Sequence, residues 1–204
     1  MNTLKLSNGA VIYQFGKPNL FMMGGVHGEE RASVIALNKF LIKHQGKINN
    51  TWILPCLNVD GFRNENRLCG GVNLADEFKP DTDVKFMQEL ISLLENNKPK
   101  LFVDLHEDCM SDVDYIWTHW DNFNFNPIID EKLRKFCREN DVGLKYWPDT
   151  PYYAGTSESY MRSINIPGCY TTETFLYQNI ETRIKKNIEF AEQFYKMGQL
   201  YESQ

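Results

Sequence analysis

Short apolar runs alternate with amphipathic segments along most of this chain, and that alternation restricts its fold more than any other feature. Leu20-Phe21-Met22-Met23, running into Gly24-Gly25, predicts a buried strand entering a tight loop. From about Glu29 to Lys43, residues Ala32, Ile35, Ala36, Phe40 and Ile42 recur roughly at helical spacing. Further strands are expected at 51–57, 101–105, 115–120 and 169–172, and further helices at 84–94, 128–139, 157–164 and 180–201. Before them, Leu4–Leu6 and Val11–Tyr13 flank Asn8-Gly9, a hairpin signal. Residues 58–80, rich in Asn, Gly, Asp and Arg, read as a long loop of the kind that is functional or disordered. The pattern predicts one α/β domain over residues 1–204, with a mixed, largely parallel sheet and helices on both faces. In such sheets chemistry gathers beyond the carboxyl ends of the strands. His27, Asn58, His106 and Glu173 all follow expected strands, which is the first reason to group them.

Composition excludes several classes of function. The 204 residues suffice for one sizeable core. A net charge of −5 without a long basic run argues against nucleic-acid binding. The sequence has no apolar stretch of membrane-spanning length and no secretory-type leader at its start, so a cytoplasmic protein without a membrane partner is expected. The five cysteines, Cys56, Cys69, Cys109, Cys137 and Cys169, are odd in number and form no C-x-x-C pair. Reduced, mostly buried thiols are expected, not a disulfide framework or a Cys-rich metal site. Oligomeric state is not encoded in any feature of the sequence.

His27 and Glu30 form an H-x-x-E pair, and a helical turn there would let both converge on one ion. Zinc accepts imidazole nitrogen and carboxylate oxygen at about 2 Å, and a catalytic site keeps one position for water. The pair alone is a weak signal. His106, at the end of the strand at 101–105, would be brought by a parallel sheet beside the end of the first buried strand. Two imidazoles and one carboxylate then make an open three-ligand site for one zinc ion. Asp104, two residues before His106, is placed to orient an imidazole from behind.

In their order along the chain these segments resemble the zinc carboxypeptidase superfamily, which includes murein-peptide amidases and the succinylglutamate desuccinylase/aspartoacylase group. His27-Gly28-Glu29-Glu30 is similar to the H-G-x-E element, and Asn58-Val59-Asp60-Gly61 followed by Arg67 to N-P-D-G…R. The segment from Gly71 to Phe78 is similar to G-V-D-L-N-R-x-F, Asp104-Leu105-His106 to D-x-H, and Thr171-Thr172-Glu173-Thr174 to the late strand bearing a catalytic glutamate. The resemblance implies a zinc held by His27, Glu30 and His106, which polarises a scissile carbonyl and activates a water. It implies Glu173 as the base that accepts the water's proton and passes it to the leaving amine. Arg67 would stabilise the oxyanion, with Arg63 as a rival in the same loop. Tyr152 or Tyr153, 21 and 20 residues before Glu173, would supply the mobile-loop tyrosine that the family often uses on its substrate.

One position departs from the pattern. The family's Asn-Arg clamp for a terminal carboxylate falls on Ala75-Asp76, and aspartate cannot make that bidentate contact. Asp76 could bind a cationic group of the substrate, Arg63 could supply the carboxylate contact from another angle, or Asp76 could simply cap the loop. The expected activity is hydrolysis of an amide bond in a small peptide or a peptidoglycan-derived peptide. The alternatives are deacylation of an N-acyl amino acid, or a metal- or peptide-binding module without turnover.

Overall fold

A computed structural model of the protein describes residues 1–119, 127–147 and 156–202. Its centre is an eight-stranded sheet in the order β1-β2-β4-β3-β5-β8-β6-β7. The hairpin forms as expected: β1 (Asn2–Lys5) and β2 (Val11–Phe15) pair antiparallel. Gly9 sits at φ +91°, where a side chain would be strained. Next to it Asn8 accepts from the Ala10 N–H and donates to the Leu57 carbonyl, which ties the turn to the loop after β4.

The four central strands, β4 (Thr51–Leu54), β3 (Leu20–Gly24), β5 (Leu101–Asp108) and β8 (Gly168–Phe175), run parallel. Every residue of β3 and β4 is buried, because helices cover both faces of the sheet. Alternation along each strand divides the core in two. Leu20, Met22, Leu101, Val103 and Leu105 pack with Phe40 of α1 (Arg31–Lys43), Leu133 of α4 (Pro127–Glu139) and Phe194 of α6 (Ile180–Gln199). Phe21, Met23, Phe102 and Cys169 face the other way, onto Leu90 of α3 (Lys85–Asn97) and Met161 of α5 (Ser157–Ser163). Asp104 and His106 share the parity of Phe102, and Thr171 and Glu173 that of Cys169. All four therefore stand on the face covered by α3 and α5.

The chain differs from its expected pattern in four places. Residues 58–80 are not a bare loop: they hold a short helix α2 (Val59–Asn64) and a 3-10 turn at Leu74–Asp76. Asn58 caps α2 by accepting from the Gly61 N–H, a local device that apolar periodicity does not register. A strand β7 (Gly143–Trp147), absent from the sequence reading, pairs parallel with β6 (Tyr115–His119) at the sheet margin. β6 itself pairs antiparallel with β8, so both margins of the sheet contain antiparallel pairs. Of the cysteines, all five are free but only Cys137 and Cys169 are buried. Cys56 and Cys69 are half-buried and Cys109 is exposed. No described helix is long and apolar enough to cross a membrane.

Candidate metal centre and active site

The segments that leave β3 and β4 are laced together just beyond the sheet. Gly24 and Gly25 accept from the backbone N–H groups of Leu57 and Asn58 at 3.1 and 2.8 Å. Gly25 adopts φ +62° to redirect the chain. His27 and Glu30 then converge through a turn, closed by the Glu30 N–H on the His27 carbonyl at 3.2 Å. Helix α1 begins only at Arg31, so the expected helical turn is replaced by a tighter preceding one. His27 Nδ1 lies 2.5 Å from Glu30 Oε1. Asn58, fully buried, donates from its amide nitrogen to the Arg67 carbonyl and so anchors the loop that carries Arg67.

His106 arrives from the other side. The β3–β5 pairing ends at Gly24↔Leu105, whereas β5 and β8 continue together to Asp108↔Phe175. His106 and Glu173 thus lie within strands that project beyond the end of β3, with Tyr115 of β6 paired to Glu173 on its other side, not after the strand ends as the sequence suggested, and they are register partners. His106 Nδ1 stands 3.0 Å from Glu30 Oε2. That approach lacks hydrogen-bond alignment, which leaves Glu30 Oε2 buried without a donor among the described residues. The ligand atoms of His27, Glu30 and His106 all lie within 4.8 Å of one another.

The outer nitrogens of both rings face oxygen acceptors. His27 Nε2 is 3.2 Å from Asn73 Oδ1, and His106 Nε2 is 3.0 Å from Asp104 Oδ2. A neutral imidazole that donates from Nε2 presents a lone pair at Nδ1. Two lone pairs then face one carboxylate that is only 2% exposed, an arrangement that calls for a cation between them. The donor set and the orphaned Glu30 oxygen both fit zinc. Burial alone would raise the Glu30 carboxyl, but the His106 and His27 charges outweigh it and bring it down to about 2. His106 is held charged well above its usual range by Asp104 and Glu30, against the effect of its own burial.

Glu173 contrasts with Glu30. It is half-buried and no described residue hydrogen-bonds to its side chain. Loss of water is the main reason its carboxyl titrates well above the ordinary range. His106 opposes that shift, and Glu30, Asp108 and Asp104 reinforce it. A carboxylate beside the cluster that prefers to hold a proton is suited to accept one from water.

Arg67 reaches the same centre. Its Nη1 bonds Glu29 Oε1 at 3.1 Å and lies 3.6 Å from Glu30 Oε1, while half of the side chain remains exposed. Arg63, its rival, is exposed in the last turn of α2, and its charge partly offsets the burial that pushes the Cys56 thiol up to about 11. Asp76 is exposed and accepts from Asn73 Nδ2 at 2.7 Å. Tyr152 and Tyr153 lie outside the described residues.

Four further residues near the site were not singled out from the sequence. Asn73 supports His27; it occupies the aspartate position of the G-V-D-L element, which was the signal available. Ser157, at the start of α5, donates to Asp104 Oδ2 at 2.7 Å and stands 3.1 Å from Glu158 Oε2. Burial is the main reason that the Glu158 carboxyl titrates above the ordinary range. Glu107 accepts from the Ala32 N–H at the start of α1 at 2.7 Å and pairs with Arg183 of α6, which locks the helix following Glu30 onto β5. Nothing local in the sequence marks Glu158 or Glu107.

Comparison with solved structures places this fold among carboxypeptidase-like proteins. A metallopeptidase candidate from Shewanella amazonensis SB2B superposes with a TM-score of 0.75 at 20% identity, covering 96% of this chain and 86% of that one. Murein-tripeptide amidase MpaA from Escherichia coli O157 gives 0.63 at 15% identity over 94% and 88%. A metallo-carboxypeptidase from Burkholderia cenocepacia gives 0.74 at 11% identity over 98% and 65%. No protein-family model and no curated protein sequence matches the chain. The fold is thus carboxypeptidase-like, and it carries a buried His-Glu-His cluster beside a glutamate.

Proposed function

We propose that the protein is a zinc-dependent hydrolase of amide bonds in small peptides, including peptides derived from peptidoglycan. The observation that carries this reading is the placement of the His27–Glu30–His106 cluster on the sheet face where Glu173 is the register partner of His106. The similarity in fold to a murein-tripeptide amidase supports the substrate class. His27, Glu30 and His106 would hold one zinc ion, which supplies Lewis-acid polarisation of the scissile carbonyl and makes a water acidic enough to lose a proton near neutral pH. Glu173 takes that proton and returns it to the leaving amine nitrogen. Arg67, at the rim, stabilises the negative charge that builds on the carbonyl oxygen. Arg63, Asp76, Tyr152 and Tyr153 are the candidates for contacts with the substrate.

The test is to purify the protein, quantify its zinc, and assay hydrolysis of a murein tripeptide and a panel of N-acyl amino acids with and without chelator. Bound zinc at one per chain and chelator-sensitive peptide hydrolysis are expected. Absence of zinc, together with undiminished activity of His106→Ala, would end the proposal. Preference for the N-acyl amino acids would move the protein to the deacylases.

A further inference from the structure

The charge reversal at position 76 has a structural counterpart. Asp76 Oδ2 accepts from Asn73 Nδ2 at 2.7 Å, and the Asp76 N–H donates to the Asn73 carbonyl at 3.1 Å. The two residues are clipped together across one 3-10 turn, through both backbone and side chain. The other end of the same amide, Asn73 Oδ1, lies 3.2 Å from His27 Nε2. The Ala75 N–H also approaches Oδ1, at 3.4 Å.

We propose that Asp76 is a positioning residue for the metal centre, holding His27 through Asn73 in the one tautomer that can bind an ion at Nδ1. An asparagine amide has a donating end and an accepting end, and turning it over exchanges them. A carboxylate accepts only, so Asp76 draws the NH2 end towards itself and leaves Oδ1 to face His27. Oδ1 accepts, so His27 keeps its hydrogen on Nε2 and its lone pair on Nδ1, the atom that points at Glu30. Were the amide reversed, its NH2 would favour a bare Nε2 and a protonated Nδ1, which cannot ligate. A carboxylate one turn away thereby does through an amide what Asp104 does to His106 by direct approach. The proposal rests on the reading of His27 as a zinc ligand.

Zinc affinity tests it without reference to turnover. Apparent affinity is measured by competition with a chromogenic chelator for the wild type, Asp76→Asn, Asn73→Asp, the double variant and His106→Ala, with melting of each metal-free protein as the control for folding. Asp76→Asn can offer Asn73 either an acceptor or a donor and so no longer fixes the orientation of its amide; it should bind zinc up to about 10-fold more weakly, the lower end of the cost of losing an outer partner of a ligating histidine, with metal-free melting unchanged. Asn73→Asp places an acceptor directly on His27 and should bind zinc at least as tightly as the wild type. In that background Asp76→Asn should cost less than about 2-fold, since the amide it oriented is gone. An equal loss in both backgrounds would mean that Asp76 acts by general attraction of a cation, and would overturn the proposal. So would unchanged zinc affinity in Asp76→Asn, including the case where that variant alters only the preference for substrates with a basic terminal residue. Failure of the underlying reading is recognised separately, by a wild type that takes up no zinc or by undiminished uptake in His106→Ala.

Discussion

His106 and Glu173 are direct register partners on the parallel strands β5 and β8, with side chains on the same face of the sheet. Neighbouring strands lie about 4.8 Å apart, so a candidate metal ligand and a candidate base are held as close as the backbone allows. In Glu173→Gln the shape of the site is kept and the proton acceptor is lost. We expect kcat to fall about 100-fold or more, with zinc content unchanged and KM little affected. Retention of more than about a tenth of kcat would exclude Glu173 as the base.

The same residue makes the stability of the metal-free protein pH-dependent. Its folded carboxyl titrates above the unfolded value of about 4.3, so the fold binds the proton more tightly than the unfolded chain does. The stability linked to Glu173 is complete below that unfolded value and is lost as pH rises through the folded one. Denaturant titrations of chelated protein should show Glu173→Gln more stable than the wild type near pH 7, with the gap closing near pH 4. A gap of the opposite sign near pH 7 would contradict the burial argument.

Zinc should stabilise the fold by mass action. At a free concentration 1,000 times the dissociation constant the gain is about 4 kcal/mol. Melting temperature should therefore rise with added zinc in the wild type and fall on chelation, with neither response in His27→Ala or His106→Ala. A wild type whose melting ignores zinc and chelator alike would leave the cluster without a metal.

Arg183 and Glu107 form the ion pair that joins α6 to β5 behind the site, and the Glu107 side chain is fully buried. Truncating the arginine strands that carboxylate. Arg183→Met should destabilise the protein by about 3–5 kcal/mol, whereas replacing both members with apolar side chains of similar volume should cost much less. Denaturation midpoints of the single and double variants decide; equal losses would show that packing, not the stranded charge, is responsible.

Gly28 and Gly61 bring the two loops of the site backbone to backbone. A β-carbon at Gly28 would lie 2.1 Å from the Gly61 carbonyl carbon and 2.3 Å from the Asn66 carbonyl oxygen. Gly28→Ala should therefore separate His27 from the loop of Arg67, lowering zinc uptake and stability together. An alanine variant with full zinc content and wild-type melting would refute this packing constraint.

Much of this was legible in local order. The all-apolar run Leu20–Met23 and the run Leu101–Leu105, apolar except at Asp104, read directly as buried strands, and His27, Glu30, Arg67, His106 and Glu173 fell within short motifs of recognisable spacing. The strand Gly143–Trp147 was not legible, because Gly143 and Lys145 interrupt its apolar signal and its partner β6 is remote in sequence. Helix α2 was hidden for a related reason: its six residues, including Gly61, are set by the Asn58 cap and by packing against Gly28. Residue types and their order along the chain determined which groups could ligate, accept a proton or carry charge, since those capacities belong to the side chains themselves. Tertiary structure alone decided which of them meet. Sheet register set His106 beside Glu173, the loop closures brought Glu30 between two imidazoles, and a 3-10 turn joined Asp76 to Asn73 behind His27. Such meetings depend on strand order and on contacts between segments distant in the chain, which no local pattern records.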